Sequence, residues 1–255
     1  MTKPYGKLVG VSLGPGDPGL ITRRAWDALC SGARWIYPVS RAGEKSYALS
    51  IVERAGLSVP AGAVELVFPM TRDALALDEA WMLAAGRTAA LLAEGTDVVF
   101  LVEGDASTFA TFGHLARVVR ERLPDVNVET IPGVSSFAAA AAATGRTLAE
   151  EGETLAVIPA AYGVGAIDHL LDGFDTLVLL KVKPMLDEII DLLERRGLLA
   201  DSCFIEKVGA PDERVVHDVA SLRGKAVNYL SLMLVRRAEH QRNEDRRAGS
   251  ARKER

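Results

Sequence analysis

Residues 8–19 read LVGVSLGPGDPG, an apolar run followed directly by a turn rich in glycine and proline. The run Leu8–Leu13 predicts a short buried β-strand. Gly14, Gly16 and Gly19 have the G-x-G-x-x-G spacing of dinucleotide-binding folds. That motif holds a pyrophosphate with the free amide N–H groups at the start of a helix. The spacing alone therefore raises the hypothesis of a nicotinamide or flavin site.

Two prolines in this turn argue against a dinucleotide site. Pro15 and Pro18 have no N–H to donate, and each restricts the residue before it to extended backbone. They place the helix start later, with Thr22 as the expected N-cap. The second predicted strand, Arg34–Val39, also ends without the acidic residue that would bind a ribose hydroxyl. By itself, the segment fits an ordinary strand-to-helix turn better than a dinucleotide site.

Short apolar runs alternate with helical stretches along the chain, which is typical of an α/β fold. The run at 97–102 is apolar almost throughout, as in a parallel strand covered on both faces. A polar break at Leu123–Asp125 predicts a boundary between an N-terminal domain, 1–123, and a C-terminal domain, 124–237. Closely spaced strands after Cys203 predict hairpins. We therefore expect a mostly parallel first sheet and a mixed second sheet.

Composition predicts a globular protein that binds neither nucleic acid nor membrane. Of 255 residues, 49% are hydrophobic and 25% are charged, with a net charge of −4. Basic residues concentrate after Arg236, so the rest of the chain is acidic, unlike a nucleic-acid-binding surface. The chain has no apolar run of the roughly 18 residues that span a bilayer and no apolar signal segment. We expect a cytoplasmic protein with a disordered tail over 238–255.

Cysteine and histidine positions favour no metal site. Cys30 and Cys203 lie far apart in apolar surroundings and are expected to be reduced core thiols. The four histidines show no zinc-ligand spacing. A metal-dependent mechanism is therefore not expected.

Three further turns follow predicted strands at places that correspond to the first turn. They are Glu103–Thr108, Pro132–Ser136 and Gly209–Glu213. Ligands of open α/β sheets bind beyond the carboxyl ends of strands, and glycine lets backbone approach a ligand closely. Four such turns could therefore meet in one ligand cleft. Taken one at a time, the residues of these turns also have ordinary roles. Asp105 fits a turn residue, and Ser135 fits a helix N-cap.

The segments VGVSLGPGDPGLIT (9–22), FLVEGDASTFATF (100–112) and IPGVSSFAAAAAATG (131–145) resemble the tetrapyrrole methylase family of cobalamin and sirohaem biosynthesis. LLDGFDTLVLLKV (170–182) and YLSLMLVRR (229–237) are most similar to its subgroup that methylates C20 of precorrin-2. The resemblance implies two α/β domains with the active-site cleft between them, and a homodimer. It also implies S-adenosylmethionine as cofactor, a tetrapyrrole substrate and precorrin-3A as product.

The resemblance further implies cofactor contacts in all four turns and after one strand. Matched position by position, the cofactor-binding residues are Pro15, Gly104, Asp105, Ala106, Phe109, Ser135, Ser136, Lys181, Val182, Ala210 and Pro211. Phe109 is expected in the helix after the second turn. The family usually has proline at the position of Ala106 and often tyrosine at that of Phe109.

Methyl transfer from a sulfonium is an in-line displacement, so the enzyme mainly orients the reactants and excludes water. It requires neither a catalytic triad nor a metal. Asp17 or Glu103 could act as the catalytic base that accepts the C20 proton. Arginine binds carboxylates bidentately, and precorrin-2 carries several. The candidates for substrate binding are Arg23, Arg41 and Arg72.

Several alternatives stay open at this point. The cobalt-bound substrate cobalt-factor II would need the same C20 transfer, and the sequence does not separate metal-free from cobalt-bound substrate. The chain could also act on another precorrin. Outside this class, it could be a non-enzymatic tetrapyrrole- or nucleotide-binding protein.

Overall fold

Strands and helices alternate along the described residues, 5–71 and 73–237 of a computed structural model. The strands are β1 (Leu8–Ser12), β2 (Arg34–Val39), β3 (Val64–Val67), β4 (Val98–Val102), β5 (Val128–Ile131), β6 (Leu155–Pro159), β7 (Thr176–Leu180), β8 (Ser202–Glu206), β9 (Arg214–Val216) and β10 (Ser231–Arg236). The α-helices are α1 (Arg23–Leu29), α2 (Tyr47–Arg54), α3 (Ala74–Ala93), α4 (Phe112–Arg122), α5 (Ser136–Thr144), α6 (Val164–Gly173) and α7 (Leu186–Arg195). They fall into two compact units, divided after Ser136.

The first unit is built on a parallel sheet with the strand order β3-β2-β4-β1-β5. β1 and β4 are buried at every residue, because helices cover both faces of the sheet. On one face, Phe100 and Leu115 belong to a core shared with α3 and α4. On the other face, Trp35 and Ile51 belong to a core shared with α1 and α2.

The second unit is built on a sheet with the order β6-β7-β10-β8-β9. β6 and β7 are parallel, and the remaining pairs are antiparallel. Its core combines Phe204 and Met233 of the sheet with Ile167 of α6 and Ile189 of α7. The predicted fold class, an α/β protein with a parallel first sheet and a mixed second sheet, is confirmed.

The predicted domain boundary after Leu123 is wrong, and the units divide after Ser136 instead. β5 is a parallel neighbour of β1, with Val128 opposite Leu8, so it belongs to the first sheet. A polar connection between a helix and a strand has the same composition whether it joins two domains or two elements of one sheet. The disordered tail predicted for 238–255 lies outside the described residues.

The sequence patterns predict neither α6 nor β9. α6 begins after Gly163, which has a left-handed φ of 93° and provides no side-chain cap to mark a helix start, and β9 has only 3 residues. Cys203 is buried as expected, but Cys30 is exposed at the end of α1 and is not a core thiol. No helix in 5–71 or 73–237 is long and apolar enough to cross a membrane.

Gly10 of β1 lies beneath the ring of Phe112, and a Cβ added there would come 2.5 Å from ring carbons. Gly10→Ala should lower the free energy of unfolding by about 1–3 kcal/mol, because a buried ring must shift. Urea unfolding of the full chain measures this. Gly113→Ala is the control, since its Cβ would meet nothing within 4 Å and alanine favours helix. Equal losses in both variants would contradict the packing argument.

Candidate active site

Three of the four predicted turns lie side by side at the carboxyl edge of the first sheet. β1 is flanked by β4 and β5, so the turns that follow these strands emerge next to one another. The Gly14 N–H donates to the Gly104 oxygen at 3.1 Å, and the Gly104 N–H donates to the Gly14 oxygen at 2.7 Å. Their φ angles of 76° and 75° lie in the left-handed region that favours glycine. The first two turns are thereby joined directly.

Ser12, the last residue of β1, links the main chain of all three turn regions through its side-chain hydroxyl. Its hydroxyl is fully buried, donates to the Ile131 oxygen at 2.6 Å and accepts from the Ala106 N–H at 2.9 Å. Gly133 of the third turn packs directly against it. A Cβ added at Gly133 would come 2.5 Å from the Ser12 Cβ and 3.0 Å from the Gly104 oxygen. Glycine at this position therefore lets the third turn close onto the first two.

The carboxylate of Asp105 connects the second turn to the third. Oδ2 accepts from the Gly133 N–H at 2.9 Å. Oδ1 accepts from the Ser107 N–H at 3.0 Å, the Thr108 hydroxyl at 3.2 Å and the Ser107 hydroxyl. Burial by itself raises the pKa of Asp105, but the hydrogen bonds from Ser107, Gly133 and Thr108 outweigh burial and lower it. Asp105 is therefore a buried anion whose hydrogen-bonding capacity is used inside the protein.

Helix α2 holds the first turn in place. The Tyr47 hydroxyl donates to the Pro15 oxygen at 3.2 Å, and Arg54 Nη2 donates to the Gly16 oxygen at 2.8 Å. Pro15 and Gly16 are both buried. The first turn is thus fixed both by the second turn and by α2.

The two base candidates occupy different positions at these turns. Asp17 is exposed, and its Oδ1 accepts from the Gly19 N–H at 2.8 Å as the N-cap of a single 3-10 turn. Glu103 is exposed directly before Gly104. The predicted N-cap Thr22 is confirmed, with the Ala25 N–H donating to its hydroxyl at 3.2 Å.

Phe109 lies in the turn before α4, and its predicted place inside the helix is wrong. α4 begins only at Phe112, because Ser107 and Thr108 bond back to Asp105 and delay the helix. Phe109 has a left-handed φ of 51° and a half-exposed ring. Left-handed backbone at a bulky residue costs about 1–3 kcal/mol, and such strain clusters at ligand-binding sites. Ser135 and Ser136, both half-buried, stand at the start of α5.

In the second unit, a lysine follows each of the two strands that flank β10. Lys181 comes directly after β7 and Lys207 directly after β8, with left-handed φ angles of 56° and 52°. The Lys181 N–H donates to the Ser231 oxygen and the Lys207 N–H to the Leu230 oxygen, both at 2.8 Å. Carbonyl oxygens at the start of β10 thus help to hold Lys181 and Lys207 in their strained left-handed conformations.

The remaining predicted residues of the second unit differ in what they offer a ligand. The Lys181 ammonium lies 5.6 Å from the centre of the Tyr229 ring, within cation–π range. Val182 is fully buried in the core of the second unit. The Ala210 N–H donates to the Lys207 oxygen at 2.9 Å, and Pro211 is exposed. The cleft expected between the units stays a prediction.

Of the three substrate-binding candidates, the two that the structure describes, Arg23 and Arg41, are surface residues. Arg23 is exposed on α1 and pairs with Asp27 one turn later, at 2.9 Å. Arg41 is exposed after β2, and Arg72 lies outside the described residues. In the described ranges, no group of three or more His, Cys, Asp or Glu is placed to hold a metal ion.

Sequence reasoning missed Ser12 and Gly133 as site residues. Ser12 is a hydroxyl residue in a strand that is otherwise apolar and fully buried, and buried polar groups require hydrogen-bond partners. That requirement is the signal that could have identified it. Gly133 stands in a predicted turn, but its close packing depends on contacts that the sequence does not show.

Comparison with known proteins now assigns the family. The model of the Tetrapyrrole (Corrin/Porphyrin) Methylases matches residues 7–222. The chain belongs to this family. It is therefore a methyltransferase, and the resemblance seen in its motifs is confirmed.

Relatives of known name cover nearly all of the chain. It is 36% identical over 233 residues to cobalt-precorrin-2 C(20)-methyltransferase of Salmonella typhimurium, covering 90% of this chain and 96% of the relative. It is 30% identical over 240 residues to precorrin-2 C(20)-methyltransferase of Sinorhizobium sp, covering 90% of this chain and 95% of the relative.

Solved structures share the fold at lower identity. The methyltransferase CobJ aligns with a TM-score of 0.66 at 20% identity, over 91% of this chain and 95% of CobJ. Uroporphyrin-III C-methyl transferase from Thermus thermophilus, solved in complex with S-adenyl homocysteine, aligns with a TM-score of 0.63 at 24% identity. That alignment covers 90% of this chain and 97% of the other.

The lowered pKa of Asp105 predicts a pH dependence of stability. Its contribution is complete above the unfolded-state pKa of about 3.9 and is lost as pH falls through the lower folded-state value. We expect the free energy of unfolding to fall more steeply below about pH 4 in the natural chain than in Asp105→Asn. Urea unfolding at a series of pH values measures both slopes. Asp125→Asn, at an exposed turn position, is the control, and matching slopes in all three proteins would refute the assignment.

Proposed function

We propose that this chain transfers a methyl group from S-adenosylmethionine to C20 of precorrin-2, or of its cobalt-containing form, in cobalamin biosynthesis. The family and the names of relatives that cover nearly the whole chain support this substrate. The observation that carries it is the joining of the turns after β1, β4 and β5 around Ser12 and Asp105. With metal-free substrate the product is precorrin-3A.

The second turn has the shape to accept the cofactor. A Cβ added at Gly104 would meet nothing within 4 Å, so space lies beside this backbone, and its left-handed φ of 75° keeps side chains out of that space. The exposed ring of Phe109 offers a flat apolar face that suits stacking against a purine. When bound, S-adenosylmethionine supplies a methyl group already attached to a leaving group.

The hydrogen bonds of these turns determine how they would hold the cofactor. The N–H groups of Gly104 and Ala106 donate within the protein, and the Asp105 carboxylate accepts within the protein. We infer that the second turn holds the cofactor by close backbone contact and its remaining carbonyl lone pairs. Such a fixed surface contributes to catalysis by orienting the reacting groups, an effect that can reach about 7–11 kcal/mol.

The other predicted site residues belong to the same proposal. Further cofactor contacts are assigned to Pro15, Ser135, Ser136, Lys181, Val182, Ala210 and Pro211. Asp17 and Glu103 are both proposed as candidates for the base that accepts the C20 proton. Arg41 and Arg72 are proposed to bind substrate carboxylates, with Arg23 less suited because it pairs with Asp27. A homodimer in the cytoplasm completes the proposal.

Cofactor binding should depend on the close fit of Gly133. Gly133→Ala pushes a Cβ against Ser12 and the Gly104 oxygen, so the second and third turns must shift apart. We expect the Kd for S-adenosylhomocysteine to rise about tenfold or more, equivalent to about 1.4 kcal/mol, by titration calorimetry. Gly165→Ala on α6 is the control, because its Cβ would meet nothing within 4 Å. Unchanged affinity in Gly133→Ala, or no binding by the natural chain, would contradict the proposed site.

The reaction itself is tested with two substrates. Purified chain is incubated with S-adenosylmethionine and either precorrin-2 or its cobalt complex, and products are analysed by mass spectrometry and NMR. We expect one added methyl group, at C20, with at least one of the two substrates. Methylation at another carbon would contradict the assignment to C20. Cofactor binding without any methylated product would instead favour a carrier.

A further inference from the structure

Lys181 carries a positive charge that no carboxylate neutralises in the described part of the chain. The residue is exposed directly after β7, and no Asp or Glu of 5–71 or 73–237 forms an ion pair with its ammonium. Lys207 occupies the equivalent position after β8 and has the same left-handed backbone, but its ammonium pairs with Asp212. Lys181, unlike Lys207, therefore keeps its charge available to a ligand.

The left-handed backbone of Lys181 indicates that its side chain is required at this place. Its φ is 56°, and its N–H donates to the Ser231 oxygen at 2.8 Å, so β10 helps to fix the conformation. Glycine adopts this conformation without strain, whereas a lysine there costs folding free energy. At Lys207 the ion pair with Asp212 gives the lysine a role within the fold. Lys181 has no such pair among the described residues, so a binding role accounts for it better.

An aromatic ring holds the ammonium of Lys181 in position. The ammonium lies 5.6 Å from the centre of the Tyr229 ring, which attracts a cation without neutralising its charge. The segment that carries the ring is itself fixed at both ends. The Asn228 N–H donates to Glu206 Oε2 at 2.7 Å, and the Ser231 N–H donates to the Tyr229 oxygen at 2.8 Å. The charge is thus both positioned and available.

The sign of this charge distinguishes the two ligands of the proposed reaction. S-adenosylmethionine has a sulfonium and an ammonium beside its one carboxylate, so it is a net cation that an unpaired ammonium repels. Precorrin-2 carries several carboxylates and is attracted by the same charge. A carboxylate of the tetrapyrrole is therefore the better partner for Lys181.

We propose that the Lys181 ammonium, positioned by the Tyr229 ring, binds a carboxylate of the tetrapyrrole substrate. The inference rests on the proposed function and deepens it, because it adds a substrate-binding side chain from the second unit. The main chain of Lys181 keeps its proposed contact with the cofactor, so this one residue serves both ligands.

Substitution of Lys181 tests the proposal in the full chain, with the tetrapyrrole that the natural chain methylates. Lys181→Met keeps the length of the side chain and removes its charge. We expect the KM for the tetrapyrrole to rise about fivefold or more, with kcat and the Kd for S-adenosylhomocysteine nearly unchanged. Lys181→Arg keeps the charge and the ring contact and should leave KM within about twofold. Because salt screens charge pairs, KM should rise more steeply with ionic strength in the natural chain than in Lys181→Met.

Further variants separate the ring contact from the general positive charge of this surface. Tyr229→Phe keeps an aromatic face and should leave KM unchanged, whereas Tyr229→Leu removes it and should raise KM about twofold or more. Lys183→Met is the matched control, because Lys183 is exposed two residues after Lys181 and the substitution removes the same charge. It should change KM by less than about twofold, as exposed charges contribute little.

Each contrary result overturns a defined claim. An unchanged KM in Lys181→Met, or an equal rise in Lys183→Met, overturns the role of Lys181, while methyl transfer by the natural chain still supports the proposed function. An unchanged KM in Tyr229→Leu overturns the positioning role of the ring. A raised Kd for S-adenosylhomocysteine with unchanged KM places the carboxylate on the cofactor and overturns the substrate assignment. No transfer by the natural chain to either tetrapyrrole overturns the proposed function and this inference together.

Discussion

The buried carboxylate of Asp105 is the interaction on which the candidate site depends. It accepts hydrogen bonds from the N–H of Gly133 and from both hydroxyls that follow it, Ser107 and Thr108. Hydrogen bonds to an ionised acceptor are stronger than those between neutral groups. Because these donors come from two different turns, the loops after β4 and β5 become one rigid structure. The Ser12 hydroxyl extends that structure to β1.

This arrangement explains why a glycine pattern with dinucleotide spacing does not form a dinucleotide site. Pro15 and Pro18 lack N–H groups, and the N–H groups of Gly14 and Gly104 each donate to the carbonyl oxygen of the other residue. The amides that would hold a pyrophosphate are therefore committed to building the turns. What remains is a fixed, closely approachable backbone surface. Such a surface suits methyl transfer, in which positioning contributes more than acid–base chemistry.

The fold could be predicted from the sequence to the extent that local pattern determines it. β4 was predictable because a short, continuous apolar run rich in valine is typical of a strand covered on both faces. The place of β5 in the first sheet was not, because that pairing joins residues far apart in the chain. The turns were identified by their glycines. Two features of the site could not be predicted: the hydrogen bonds that Asp105 accepts within the protein and the left-handed conformation of Phe109. Both depend on contacts in the folded turns, which local sequence does not encode.

The proposed function depends on the turns joined by Asp105 and Ser12, which would form the surface that holds S-adenosylmethionine. The most direct measurement is a crystal structure of the full chain with S-adenosylhomocysteine. We expect ligand density against the backbone of Gly104–Ala106, with the Asp105–Gly133 hydrogen bond retained. Density away from these turns, or a ligand that displaces Gly133 and bonds the Asp105 carboxylate directly, would contradict it.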